Sequence, residues 1–93
     1  MARPKKCRAV ACRPDATYFK PRGIPLVELD EVTLSIDELE AIRLADYEGL
    51  YHEDAAVKMK ISRQTFGRIL NDARRKVAEC LLLGKALKIA ILQ

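Results

Sequence analysis

The sequence predicts a mainly α fold: a three-helix domain preceded by an extended basic arm and followed by a short strand. Three observations lead there. The apolar residues make up 49% of the 93-residue chain. They are mostly Leu, Ile, Val and Ala with few aromatics, which suits a helical core better than a β-sandwich. All four prolines (Pro4, Pro14, Pro21 and Pro25) fall in the first 25 residues and exclude helix from most of that stretch. Two serines, Ser35 and Ser62, stand as N-caps before runs with helical period. A chain of this length holds one domain with a modest core.

Residues 1–34 read as the arm, with short strands at 6–12 and 17–20 as the candidates for order. The first helix opens after Ser35. Glu38 three residues on completes a capping box, and Asp37 and Glu38 suit the positive end of the helix dipole. Ile36, Leu39, Leu44 and Tyr47 share its apolar face, and Gly49 supplies the stop. A shorter helix spans 52–59. The third begins after Ser62 and ends near Leu82, before Gly84. Residues 35–84 thus form the helical domain. The tail, 85–93, alternates with Leu87, Ile89 and Ile91 on one side, the period of a strand that needs a partner. The N-terminal segment or a second subunit would supply it, and this strand is the expected interface of a homodimer.

The second and third helices carry the spacing of a helix-turn-helix. With His52 as the first position, the fourth, eighth, tenth, fifteenth and eighteenth are Ala55, Met59, Ile61, Phe66 and Ile69. All are apolar, at the offsets where two steeply crossing helices bury their contact. The fifth, where the backbones approach closely, is Ala56. The ninth, usually glycine because the backbone there is left-handed, is Lys60. That conformation costs a lysine about 1–2 kcal/mol.

At about 100° per residue, Phe66, Ile69, Leu70, Ala73 and Val77 fall on one face of the third helix. Gln64, Arg68, Asn71 and Arg75 fall on the opposite one. Gln64, Arg68 and Asn71 are the candidate base readers, because Arg pairs bidentately with guanine, and Gln or Asn with adenine, in the major groove. Arg63, Thr65, Arg74, Arg75 and Lys76 are the candidate phosphate contacts. Without the preceding motif, a solvated amphipathic face would explain the same pattern.

Charge is segregated along the chain. Residues 1–25 carry seven Lys/Arg against one acid; residues 26–57 carry ten acids against one base; residues 58–93 carry nine bases against two acids. Two basic blocks around an acidic one are an electrostatic footprint for nucleic acid. Arg3, Lys5, Lys6 and Arg8 read equally as a minor-groove arm or as a frayed basic tail. The acidic block reads first as a solvated face and second as a dock for a basic partner, such as another subunit's arm.

Glu53-Asp54-Ala55-Ala56, Met59-Lys60-Ile61-Ser62-Arg63-Gln64-Thr65-Phe66-Gly67-Arg68-Ile69-Leu70 and Ala73-Arg74-Arg75-Lys76-Val77 resemble region four of bacterial sigma factors, as does the Glu48-Gly49-Leu50-Tyr51 connector. With Ala2-Arg3-Pro4-Lys5-Lys6-Cys7-Arg8 and Tyr18-Phe19-Lys20-Pro21, the chain resembles more closely, nearly end to end, a family of short prokaryotic proteins predicted to bind DNA. The resemblance implies a sigma-region-four-like helix-turn-helix domain and supplies no target or ligand.

Other chemistry finds little support. Cys7 and Cys12 have loose metal-ligand spacing, but a structural zinc needs four ligands and only Cys80 and His52 remain among soft ones. Cys80 continues the apolar face of the third helix, and His52 suits a local hydrogen bond. No nucleophile–base pair, phosphate loop or carboxylate dyad is visible, so an enzyme is not expected, nor a metal or cofactor. No apolar run approaches the ~20 residues of a membrane span. An odd cysteine count and the lack of a signal sequence fit the cytoplasm. The expected function is sequence-specific binding of double-stranded DNA in transcription regulation. The rivals are an adaptor that docks on the transcription machinery, and a binder of structured RNA.

Overall fold

The computed structural model describes residues 9–11 and 13–91. Strand β1 (Tyr18–Phe19) comes first, then a 3-10 turn at Leu26–Glu28 and strand β2 (Glu31–Ser35). Helix α1 (Ile36–Ile42) runs into a π-helical turn (Arg43–Tyr47). Helices α2 (His52–Met59) and α3 (Arg63–Leu83) and strand β3 (Ala86–Ala90) complete the order.

Both halves of the capping box at α1 are made. Glu38 N–H donates to Ser35 Oγ at 3.2 Å, and Ser35 N–H donates to Glu38 Oε1 at 2.9 Å. The helix does not continue to Gly49 with α geometry. It widens after Ile42, and Glu48 N–H donates to Arg43 C=O at 2.8 Å. A turn that takes an extra residue displaces the inward stripe. Glu40, Ala41 and Leu44 are buried, Ile36 and Leu39 only half-buried. Tyr47, expected on the apolar face, stands in solvent.

Lys60 ends α2 in the left-handed region, at φ 59° and ψ 43°. It is the one non-glycine with positive φ among the described residues. The turn is fastened by Lys60 N–H to Val57 C=O and Ile61 N–H to Ala56 C=O, both 3.1 Å, which satisfy carbonyls at the helix end. Helix α3 opens on Ser62, whose Oγ accepts from Thr65 N–H at 3.0 Å, and closes on left-handed Gly84.

The helical core is Ala41, Leu44, Ala55, Ala56, Met59, Phe66, Ile69 and Leu70, with Ile61 half-buried against it. Of the offsets expected to be buried between α2 and α3, Ala55, Met59, Phe66 and Ile69 are buried and Ile61 only half-buried. The His52 and Phe66 rings meet edge-to-face with 5.4 Å between centroids, so this histidine packs across the two helices.

A three-stranded sheet with order β1-β3-β2 lies beside the helices. β3 pairs antiparallel with β1 (Tyr18↔Lys88) and parallel with β2 (Leu34↔Ile89). A parallel pair needs a long crossover; here the crossover is all three helices, so the sheet joins the start of the helical unit to its end. Leu34, Ala86 and Ile89 are buried on it. Tyr18 Oη donates to Glu31 Oε2 at 2.7 Å and ties the two outer strands across β3.

Two expectations change. The C-terminal strand is the middle strand, paired on both sides, so it is not an open edge for a second subunit. Residues 9–11 form no strand; instead Ala9 N–H donates to Met59 C=O at 3.1 Å and Ala11 N–H to Glu40 Oε2 at 3.1 Å. Glu40 belongs to the acidic block yet is only 2% exposed. Arg43 grips it through Nε (2.9 Å) and Nη2 (3.0 Å), and such pairing offsets the cost of burying a charge. Among the described residues, no helix is long and apolar enough to cross a membrane.

Candidate nucleic-acid interface

The first turns of α3 present the expected polar stripe. Gln64, Arg68 and Asn71 are exposed, with Arg63 on one flank. Among the described residues, none of these four side chains is engaged by a hydrogen bond or ion pair. Thr65, on the other flank, is half-buried, and its Oγ1 accepts from Ser62 Oγ at 2.9 Å.

The remaining basic residues of α3 are held. Arg74 bridges to Asp46 of the π-turn, with Nη2–Oδ1 at 2.5 Å and Nε–Oδ2 at 3.2 Å. This hydrogen-bonded pair keeps the Asp46 carboxyl below its ordinary pKa and raises the already high pKa of Arg74. Arg75 lies on the stripe, 3.1 Å from Asp72 one turn back. Lys76 is directed elsewhere: its Nζ donates to Glu38 Oε1 at 2.8 Å and to Thr33 C=O at 3.0 Å. It sits one turn from Ala73 and Cys80, both buried, so it turns toward α1 and β2 and away from the Gln64–Arg68–Asn71 stripe.

Gly67 escaped the sequence reading as a site residue. It lies within α3 between Arg63, Gln64 and Asn71, and a β-carbon built there would meet nothing within 4 Å. Glycine inside a helix costs about 1 kcal/mol relative to alanine, and no contact within the domain requires it. Its signal in the sequence is a glycine in the middle of an otherwise strong helix.

Arg3, Lys5, Lys6 and Arg8, with Cys7 and Cys12, lie outside the described residues. The chain comes into view at Ala9, against the last residue of α2. Cys80 is buried; its Sγ donates to Ala86 C=O at 3.6 Å, and burial pushes its thiol pKa up, which makes it a poor nucleophile.

A family model described as "Protein of unknown function DUF134" matches residues 1–91. The chain belongs to this family. DUF134 relatives include a UPF0251 protein of Thermoanaerobacter pseudethanolicus, 56% identical over 89 residues that cover 96% of this chain and 75% of the relative. A UPF0251 protein of Pelotomaculum thermopropionicum is 60% identical over 96% of this chain and 67% of its own length. One from Chlorobaculum tepidum is 58% identical over 94% of this chain, and that match spans only 57% of the relative. No solved structure matches the chain.

Proposed function

We propose that this DUF134 protein binds double-stranded DNA sequence-specifically, with α2 and α3 as a helix-turn-helix and α3 as the recognition helix. One observation carries the reading. Among the described residues, the polar groups on the first turns of α3 have no hydrogen-bond or ion-pair partner, while the basic residues on its later turns are ion-paired. A lone solvated face has no reason to divide its charges in this way. The left-handed turn at Lys60 and the buried offsets on either side of it support the reading, as does the resemblance to sigma region four. Gly67 adds to it, since a missing side chain lets a nucleic-acid backbone approach the helix closely.

In this reading Gln64, Arg68 and Asn71 meet base edges. Arg63 and Arg75 meet phosphates on either side, with Thr65 and Arg74 at the flanks. Lys76 is left to the fold. Ala9 enters beside the turn that precedes α3, and Arg3, Lys5, Lys6 and Arg8, which precede it in the chain, are assigned here to a minor-groove arm. Phosphate neutralisation supplies most of the affinity and the stripe supplies the readout. The physiological role that follows is transcription regulation in the cytoplasm.

Selection of bound duplexes from a random pool, followed against salt, tests this. The expected result is an enriched motif that is lost in Arg68→Ala and competed by duplex DNA far better than by duplex RNA. A-form RNA has a major groove too narrow for a helix. Salt-sensitive binding without a motif would remove sequence specificity, and no binding at low salt would overturn the proposal and favour the adaptor.

A further inference from the structure

Lys60 is the strained point of the described backbone. It holds φ 59° and ψ 43°, a left-handed conformation that a β-carbon disfavours and glycine enters freely. The other described residues with positive φ are glycines: Gly23, Gly49 and Gly84. The bond that fastens the turn, from Lys60 N–H to Val57 C=O, needs no side chain. That side chain is exposed and, among the described residues, makes no hydrogen bond or ion pair. A cation suits the negative end of the α2 dipole, but Lys58 in the last turn already supplies one. Within the domain, glycine would be the more stable choice.

Strain held at one residue and not used inside a fold points to a role outside it. We infer that Lys60 is a phosphate contact of the DNA complex, which rests on the DNA reading proposed above. Lys60 stands two residues before Ser62, the N-cap of α3, so it shares with Arg63 the end of the helix that reads bases in that proposal. An ammonium on a flexible stem meets a phosphate as a point charge and carries no base preference. The contact therefore adds affinity at every sequence and selects none. In this arrangement the turn itself holds the DNA backbone, while Gln64, Arg68 and Asn71 read.

Three variants of the full chain test this, by urea unfolding without DNA and by duplex binding followed against salt. Lys60→Gly relieves the left-handed backbone, so its unfolding equilibrium constant should fall about threefold or more. It should weaken binding to the wild type's selected duplex and to an unrelated one by a similar factor, about three- to tenfold, and lower the slope of log affinity against log salt by about one. Lys60→Asn tolerates the same backbone without the charge and should lose the same slope. Lys60→Arg keeps the charge and should keep the slope. Wild-type slopes in both Lys60→Gly and Lys60→Asn overturn the inference and leave the DNA reading standing. A changed base preference overturns it too, as does a Lys60→Gly variant less stable than the wild type, since the side chain would then serve the fold. A wild type that binds no duplex removes the DNA reading and this contact together.

Discussion

The two ends of α3 differ in what their side chains answer to. In its first turns, Arg63, Gln64, Arg68 and Asn71 project into solvent with no described partner, and Gly67 leaves a bare patch of backbone among them. From residue 73 onward the basic side chains of the helix are paired. Ala73 and Cys80 are buried, Arg74 and Lys76 bind carboxylates of the π-turn and α1, and Lys76 also reaches a β2 carbonyl. The same residue type, arginine, serves both ends. A local pattern of basic residues thus overstates a binding surface, and it is the acids brought from other elements that sort one set from the other.

The sharpest way to break this contrast is Arg68→Ala. It should weaken binding to the selected DNA site by about 1–3 kcal/mol, or roughly 10- to 100-fold, and relax preference at one base position. Stability should stay within about 0.5 kcal/mol, since the side chain is exposed and has no partner among the described residues. Competition binding and urea unfolding on the same preparation check both; unchanged affinity in a folded variant would discard the base-reading role. Lys76→Ala should do the reverse and cost about 1–2 kcal/mol of stability, because its Nζ satisfies the half-buried Glu38 and Thr33 C=O. DNA affinity at a temperature where the variant is folded should hardly move. A large loss of affinity would return Lys76 to the phosphate contacts. Gly67→Ala separates the two properties in one substitution. Stability should rise by about 0.5–1 kcal/mol, since alanine is the better helix former and its β-carbon has room. Affinity for duplex DNA should fall. A gain in both would show that the bare backbone has no role in binding.

Much of this was legible in the sequence because it is local. The capping box at Ser35, the N-cap at Ser62, the left-handed ninth position and most of the buried offsets between α2 and α3 depend on residues within a few turns of one another, and the structure places them where spacing requires. Most of the misreadings involve distant partners. Strand β2 lies inside the acidic block, and only its parallel pairing with β3, across three helices, makes it a strand. Glu40 looks like one more solvated acid until Arg43 and the N–H of Ala11 are brought to it. Tyr47 fails its face because a π-turn, which hydrophobic period does not encode, intervenes. Lys76, like β2, is settled by distant partners: a carboxylate and a carbonyl from elements more than 35 residues earlier.

The smallest effect expected is at the Arg74–Asp46 pair, and it shows which end of the helix Arg74 serves. The hydrogen bond from Arg74 holds the Asp46 carboxyl below its ordinary range. A carboxylate with a depressed folded-state pKa stabilises the fold above its unfolded value, about 3.9, and loses that contribution as pH falls through the folded value. Both side chains are about half exposed, 49% for Arg74 and 40% for Asp46, so solvent screening limits the coupling to roughly 0.5 kcal/mol at pH 7. A double-mutant cycle with Arg74→Ala and Asp46→Asn, read by urea unfolding at pH 7 and pH 3, should give a coupling that is smaller at pH 3, below the unfolded value, than at pH 7. Asp46→Asn also releases a cation near the proposed DNA surface, so it should steepen the salt dependence of DNA binding while Arg74→Ala does not. If both variants leave the salt dependence unchanged, Arg74 belongs wholly to the fold and the DNA-facing surface of α3 ends before it on that flank.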